Sequence, residues 1–117
     1  SGQRQARLAL DYIQKNYMDP DLSLNSICSY LNISTSYFST IFKELTGETF
    51  TEVLIRTRME KAKELLCSTN MKVAQVSEKV GFSNVSYFCR SFREYYGSSP
   101  ESYRKGTGED EENPKEI

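Results

Sequence analysis

Ala6, Leu10, Ile13 and Tyr17 recur at helical spacing, with Leu8 and Ala9 beside them, and predict a first helix that Asp19-Pro20 stops. Ser23 is placed to cap a second helix whose inner side is Leu24, Ile27 and Leu31. Asn32 then stands at a sharp inter-helix turn, a place for a residue that tolerates left-handed backbone. Ser34 caps a third helix that runs to Thr46 and ends at Gly47, with Phe38, Ile41, Phe42 and Leu45 as its buried side. Ser36, Ser39, Thr40 and Lys43 are left facing outward.

This pattern returns about fifty residues later, and a repeat of that kind marks a duplicated structural unit. Val73, Val76 and Val80 line a short helix, Gly81 takes the place of Asn32, and Ser83 or Asn84 caps a helix ending near Gly97. Phe88, Phe92 and Tyr95 or Tyr96 are its buried positions, and Val85, Ser86, Cys89, Arg90 and Arg93 its outer face. Between the copies, Thr49-x-x-Glu52 is a capping box opening a long helix with Phe50, Val53, Leu54, Ala62, Leu65 and Leu66 on apolar positions. Some eighteen residues make a rod of about 27 Å. Reading heads on successive major-groove turns stand about 34 Å apart, so a rigid connector of this size suits a duplicated helix-turn-helix that reads DNA at two places. Ser99-Pro100 starts one closing turn, with Tyr103 to pack it down.

Composition narrows the function classes. With 117 residues and 38% hydrophobic content, the chain can bury one modest core or two very small lobes. No apolar run approaches the roughly 18 residues of a membrane span, and a cytoplasmic protein without membrane partners is expected. Cys28, Cys67 and Cys89 are odd in number, widely spaced and without a Cys-x-x-Cys pair, which fits reduced thiols. The absence of histidine removes imidazole bases and the commonest metal ligand, so no enzyme activity, metal or cofactor is expected. The net charge of −1 runs against a nucleic-acid binder until the end of the chain is set aside. From Gly106 to Ile117 there are five acids and one base, leaving fourteen bases against eleven acids, a net +3, over residues 1–105. Residues 106–117 read as a disordered acidic tail, a solvating end rather than an autoinhibitory DNA mimic. Residues 1–5 read as a cloning scar or linker, which makes the chain a fragment of a longer protein.

The stretch from Arg58 to Leu66, the run Val73 to Arg93 with its Gly81-Phe82-Ser83-Asn84 turn, and Gly97-x-Ser99-Pro100-x-x-Tyr103-Arg104 resemble the signature of the AraC/XylS family of bacterial transcription regulators. The resemblance covers about residues 6 to 105, and a match of that length is strong where a single helix-turn-helix is weak. It implies an all-α fold of about seven helices, with two helix-turn-helix, homeodomain-like lobes (residues 6–49 and 68–105) joined by a connector helix over 50–67. It also implies sequence-specific binding to double-stranded DNA as the output domain of a regulator, expected to be an activator. The partners it implies are RNA polymerase and a missing N-terminal sensory or receiver domain. No long heptad stripe is present, so the fragment itself is expected to be monomeric.

Carried over by motif position, base contacts fall at Ser36, Ser39 and Thr40 on the first recognition helix and at Val85, Ser86, Cys89 and Arg90 on the second. Arg90 has a fork suited to guanine O6 and N7, and Val85 can meet a thymine methyl. Ser36, Ser39 and Thr40 are short, so the first helix reads through water or mainly positions the domain. Phosphate contacts are expected from Lys43, Arg93, Tyr37 and Tyr87, and from amides at the helix starts near Ser34 and Ser83.

Several of these residues also have a plain structural reading. The phenylalanine pairs are core rather than stacking platforms, and Tyr37 and Tyr87 can pack, donate to phosphate, or do both. Arg58 is expected to brace the connector against a lobe, and Arg56, Lys61 and Lys63 to form a solvated face. Cys89 reads as a passive small side chain rather than a redox sensor. The rival function is a helical protein-interaction module that has lost DNA affinity, supported by the low net charge and the small side chains of the first recognition helix.

Overall fold

Several helices begin or end where a local group satisfies their unpaired backbone. In the computed structural model, which describes residues 2–112, the helices are α1 (Gly2–Asn16), α2 (Leu24–Leu31), α3 (Thr35–Thr46), α4 (Phe50–Ser68), α5 (Val73–Lys79), α6 (Val85–Tyr96) and α7 (Pro100–Glu112). Ser23 Oγ accepts from the Ser26 amide at 3.1 Å, and Ser26 Oγ in turn accepts from the Ser23 amide at 2.8 Å. The predicted box at α4 is present: the Thr49 amide donates to Glu52 Oε1 at 2.9 Å, and the Glu52 amide to Thr49 Oγ1 at 3.1 Å. The Thr49 amide also holds the Glu52 carboxyl below its usual range. Asn32 takes the left-handed conformation at φ 60°, and Gly81 stands at φ 106°, as the expected turns require. Ser99 Oγ accepts from the Ser102 amide at 3.2 Å, and Pro100 is the first residue of α7.

The chain divides into two compact units between Arg58 and Met59, α4 starting in one and ending in the other. In the first unit α1 lies against α3, and Ala6, Ala9, Ile13, Ile27, Phe38, Phe42, Phe50 and Val53 form the core. The Phe50 ring meets Phe38 and Phe42 edge-on, with centroids at 6.0 and 6.1 Å. In the second unit Met59, Ala62, Leu66, Val76, Val80, Phe82, Phe88 and Phe92 are buried. Tyr103 closes that core against Phe92 and Tyr96, both at 5.5 Å between centroids.

An arginine closes each unit in the same way. Arg58 is buried and donates from Nε to the Tyr17 carbonyl at 2.7 Å and from Nη2 to that of Asp19 at 2.8 Å, tying the loop after α1 to α4. Arg104 on α7 does the same for the end of α4, donating from Nε to Leu66 O at 2.9 Å and from Nη2 to Thr69 O at 3.2 Å. Both clamps satisfy carbonyls that the helix itself cannot reach.

The packing corrects several expectations. α1 starts at Gly2, not after residue 5, because Gly2 sits close against Ile41 on α3, where an added Cβ would meet Ile41 Cδ1 at 3.1 Å. Its inner stripe is Ala6, Ala9 and Ile13, small enough for close approach, while Leu10 and Leu8 are exposed. Leu45 is exposed and Ile41 only half-buried, since the two phenylalanines already fill the contact. Tyr96, not Tyr95, packs inward. Arg56 pairs with Glu48, and Lys63 lies over the Tyr96 ring at 5.7 Å, so these two are held rather than simply solvated. α7 runs to Glu112, into the stretch expected as a tail. The rest of that tail, residues 113–117, lies outside the described residues.

Arg58→Met should lower unfolding free energy by about 1.5 to 3 kcal/mol in urea titrations, because it removes two charged donors from part-buried carbonyls. Burial, with Tyr95, Tyr103 and Glu60 nearby, pushes the Tyr96 hydroxyl up to about 12 from 10.0. The fold thus favours the protonated phenol, so this contribution is complete below pH 10.0 and is lost as pH rises toward about 12. Thermal melts across that window should show a fall that Tyr96→Phe flattens.

Candidate nucleic-acid interface

Two helices present matching outer faces because matching phenylalanines hold their inner faces. On α3, Phe38 and Phe42 are completely buried, which turns Ser36, Ser39, Thr40 and Lys43 to solvent. On α6, Phe88 and Phe92 do the same for Val85, Ser86, Arg90 and Arg93, with Cys89 half-buried at the edge. The structure thus gathers each expected set on one exposed face, with Tyr37 and Tyr87 beside them at 51% and 48% exposure. That places both tyrosine rings within reach of an approaching ligand.

The starts of the two helices differ by one residue. Ser34 Oγ accepts from the Tyr37 amide at 3.2 Å, whereas in the second copy it is Asn84 Oδ1 that accepts from the Tyr87 amide, at 2.9 Å. Ser83 stands one place before the cap, so the amides of that helix start follow Asn84. The cause is a turn one residue longer after Gly81 than after Asn32, visible in the spacing from Ser34 to Tyr37 against that from Ser83 to Tyr87. Counted back from the tyrosines, the faces pair as Ser36 with Ser86, Ser39 with Cys89, Thr40 with Arg90, and Lys43 with Arg93. Val85 then pairs with Thr35, an exposed first-turn residue absent from the sequence-based set, and this register is the signal that finds it.

The electrostatics of both faces suit an anion. Neither helix has an acid in its first turn, so its positive end meets no carboxylate of its own there. An open polar depression lined by Asn25, Ser29, Asn32, Ser34 and Thr35 leads to the start of α3, where helix amides can receive a phosphate. Each helix carries a cation in its last turn, Lys43 or Arg93. The Arg90 guanidinium lies over the Tyr87 ring at 5.8 Å. Burial pushes the Cys89 thiol up, and Glu101 adds to the shift, so it stays protonated at neutral pH. Among the described residues no cluster of three or more His, Cys, Asp or Glu side chains could hold a metal ion.

A family model described as a helix-turn-helix domain matches residues 27–106. The chain belongs to the AraC-type helix-turn-helix family. The regulatory protein PocR of Salmonella typhimurium is 39% identical over 106 residues, which are 91% of this chain and 35% of that protein. The raffinose operon transcriptional regulatory protein RafR of Pediococcus pentosaceus is 36% identical over 104 residues, 89% of this chain and 37% of its own. The chain therefore spans about a third of the length of these AraC-type relatives. Among solved structures, the C-terminal domain of AraT, a response regulator from Geobacillus stearothermophilus, superposes with a TM-score of 0.84 at 40% identity, over 86% of this chain and 84% of that one. The DNA-binding domain of AdpA, solved with a target DNA, shares the fold at 23% identity, with a TM-score of 0.80 over 93% and 96% of the two chains.

Position on the AraC-type scaffold separates the three thiols. Cys67 is exposed, whereas Cys28 is buried and both Cys28 and Cys89 are shifted toward the protonated thiol. Maleimide labelling near neutral pH should therefore modify Cys67 first and Cys28 last; Cys89 labelling ahead of Cys67 would contradict the passive role given to it.

Proposed function

We propose that this chain is the sequence-specific DNA-binding output domain of a bacterial AraC-type transcription regulator, with α3 and α6 as its recognition helices. The observation that carries the reading is the outer face of α6, where Arg90 and Val85 stand exposed on a helix whose other side is locked by Phe88 and Phe92. A guanidinium fork matches guanine O6 and N7, and an exposed valine matches a thymine methyl. On α3 the shorter Thr35, Ser36, Ser39 and Thr40 read through water or position the domain. Lys43, Arg93, Tyr37, Tyr87 and the helix starts at Ser34 and at Ser83–Asn84 hold the phosphates, setting affinity rather than sequence. Because the two faces carry different side chains, the site on DNA is asymmetric.

The remaining length of the curated relatives supports a further domain N-terminal to this one, a sensor or a phosphorylation receiver. The response-regulator description of AraT favours the receiver. Activation through contact with RNA polymerase, in the cytoplasm, is the companion reading, and the name of the transcriptional activator NphR, 39% identical over 93 residues, supports its activation part. No helix among the described residues is long and apolar enough to cross a membrane.

Selection from random duplex DNA at stated salt tests the reading directly. Affinity should fall with salt at a log-log slope of about −0.9 per phosphate contact. Arg90→Ala should cost about 1 to 3 kcal/mol and relax preference at one base position, while Arg93→Ala should weaken all sequences alike. Absence of binding at low salt would instead favour a helical interaction module.

A further inference from the structure

The second recognition helix carries a stack of side chains for which the first has no counterpart. Phe82, buried in the turn behind Gly81, packs edge-on against Phe88 at 5.2 Å between centroids. The Tyr87 ring also lies against Phe82, at 5.7 Å between centroids. One helical step further, the Arg90 guanidinium sits over that same Tyr87 ring at 5.8 Å, within cation–π range. Core, aromatic ring and cation therefore form one continuous line from the interior to the base-reading face. In the first unit the same positions hold Ile33, Tyr37 and Thr40, which keep the tyrosine ring but supply neither an aromatic seat behind it nor a cation to lie over it.

We propose that Tyr87 is a positioning residue for Arg90: its ring, seated on Phe82, holds the guanidinium in place on the outer face of α6 before DNA arrives. The proposal rests on the reading of Arg90 as a base contact and deepens it. An arginine that swings freely loses rotamer freedom when its fork engages a base edge, and that loss subtracts from discrimination. A ring beneath the guanidinium removes part of this loss in advance. The half of Tyr87 that does this is the ring face, not the hydroxyl, so the role is separable from a phosphate contact made by the same side chain. It also explains why the second helix can use a long side chain at this position while the first carries a short one.

The test uses the full chain and the variants Tyr87→Leu, Tyr87→Phe and Arg90→Ala, with circular dichroism to establish that each is folded. Tyr87 is 48% exposed, so its replacement leaves the core intact. In the DNA-free protein, 15N relaxation at Arg90 Nε should show order falling in Tyr87→Leu and kept in Tyr87→Phe. On DNA, the measured quantity is the affinity ratio between the selected site and the same duplex with the Arg90-dependent base pair changed. That ratio should drop about two- to fivefold in Tyr87→Leu, the size of an exposed cation–π contact, and stay at the parent value in Tyr87→Phe whatever the overall affinity. In the Arg90→Ala background, Tyr87→Leu should change the ratio no further. Unchanged Arg90 order in Tyr87→Leu overturns the platform, as does a loss in Tyr87→Phe equal to that in Tyr87→Leu, which assigns the effect to the hydroxyl. Equal loss on both duplexes for Arg90→Ala overturns the base-reading role itself, on a separate measurement.

Discussion

The pair of phenylalanines one turn apart on each recognition helix is the contact on which the rest of this molecule depends. Phe38 and Phe42, and likewise Phe88 and Phe92, are fully removed from water. Each such burial contributes about 1.5 to 3 kcal/mol, so turning either helix about its axis would expose two rings and cost several kcal/mol. The rotation of the helix is therefore set from inside, and the residues presented outside follow from it. The outer faces are thus open to carry different chemistry on one scaffold.

Around that contact the two units repeat a design with different parts. Each has an inter-helix turn with positive φ, each ends its recognition helix on a left-handed glycine, and each closes with an arginine that donates to carbonyls near the end of its opening helix. The first unit completes its core with Phe50, and the second with Tyr96 and Tyr103. Phe82 replaces Ile33 behind the turn, and the turn lengthens by one residue, moving the cap from serine to asparagine. These changes leave the scaffold intact and alter what lies next to the outer face of α6. Shared architecture with unequal surface chemistry is the physical basis for expecting an asymmetric DNA site.

The caps, turns and helix spans between Ser23 and Pro100 were legible in the sequence because they are local: an N-cap oxygen meets an amide three residues on, and a left-handed stop needs glycine or asparagine at one position. The buried phenylalanines were legible from spacing, and with them the outward sets on both recognition helices. The role of Arg58 as a brace was legible only as an expectation, since its acceptors at Tyr17 and Asp19 lie far away in sequence. The pairing of Thr35 with Val85 was present in the spacing, yet it needed the observed caps to become visible.

By itself, then, the sequence determined the duplicated helix-turn-helix, its helix ends, its inner and outer faces and the family to which it belongs. Tertiary structure decided what depends on contacts between segments distant in the chain. Close packing against Ile41 draws Gly2 into the first helix, and the two phenylalanines leave Leu45 outside. Arg104 finds its acceptors at the end of α4, and Phe82 seats the ring that carries Arg90. Periodicity assigns a residue to a face, but the area that a neighbouring helix covers, and which side chain reaches which carbonyl or ring, depends on distances that only the folded chain sets.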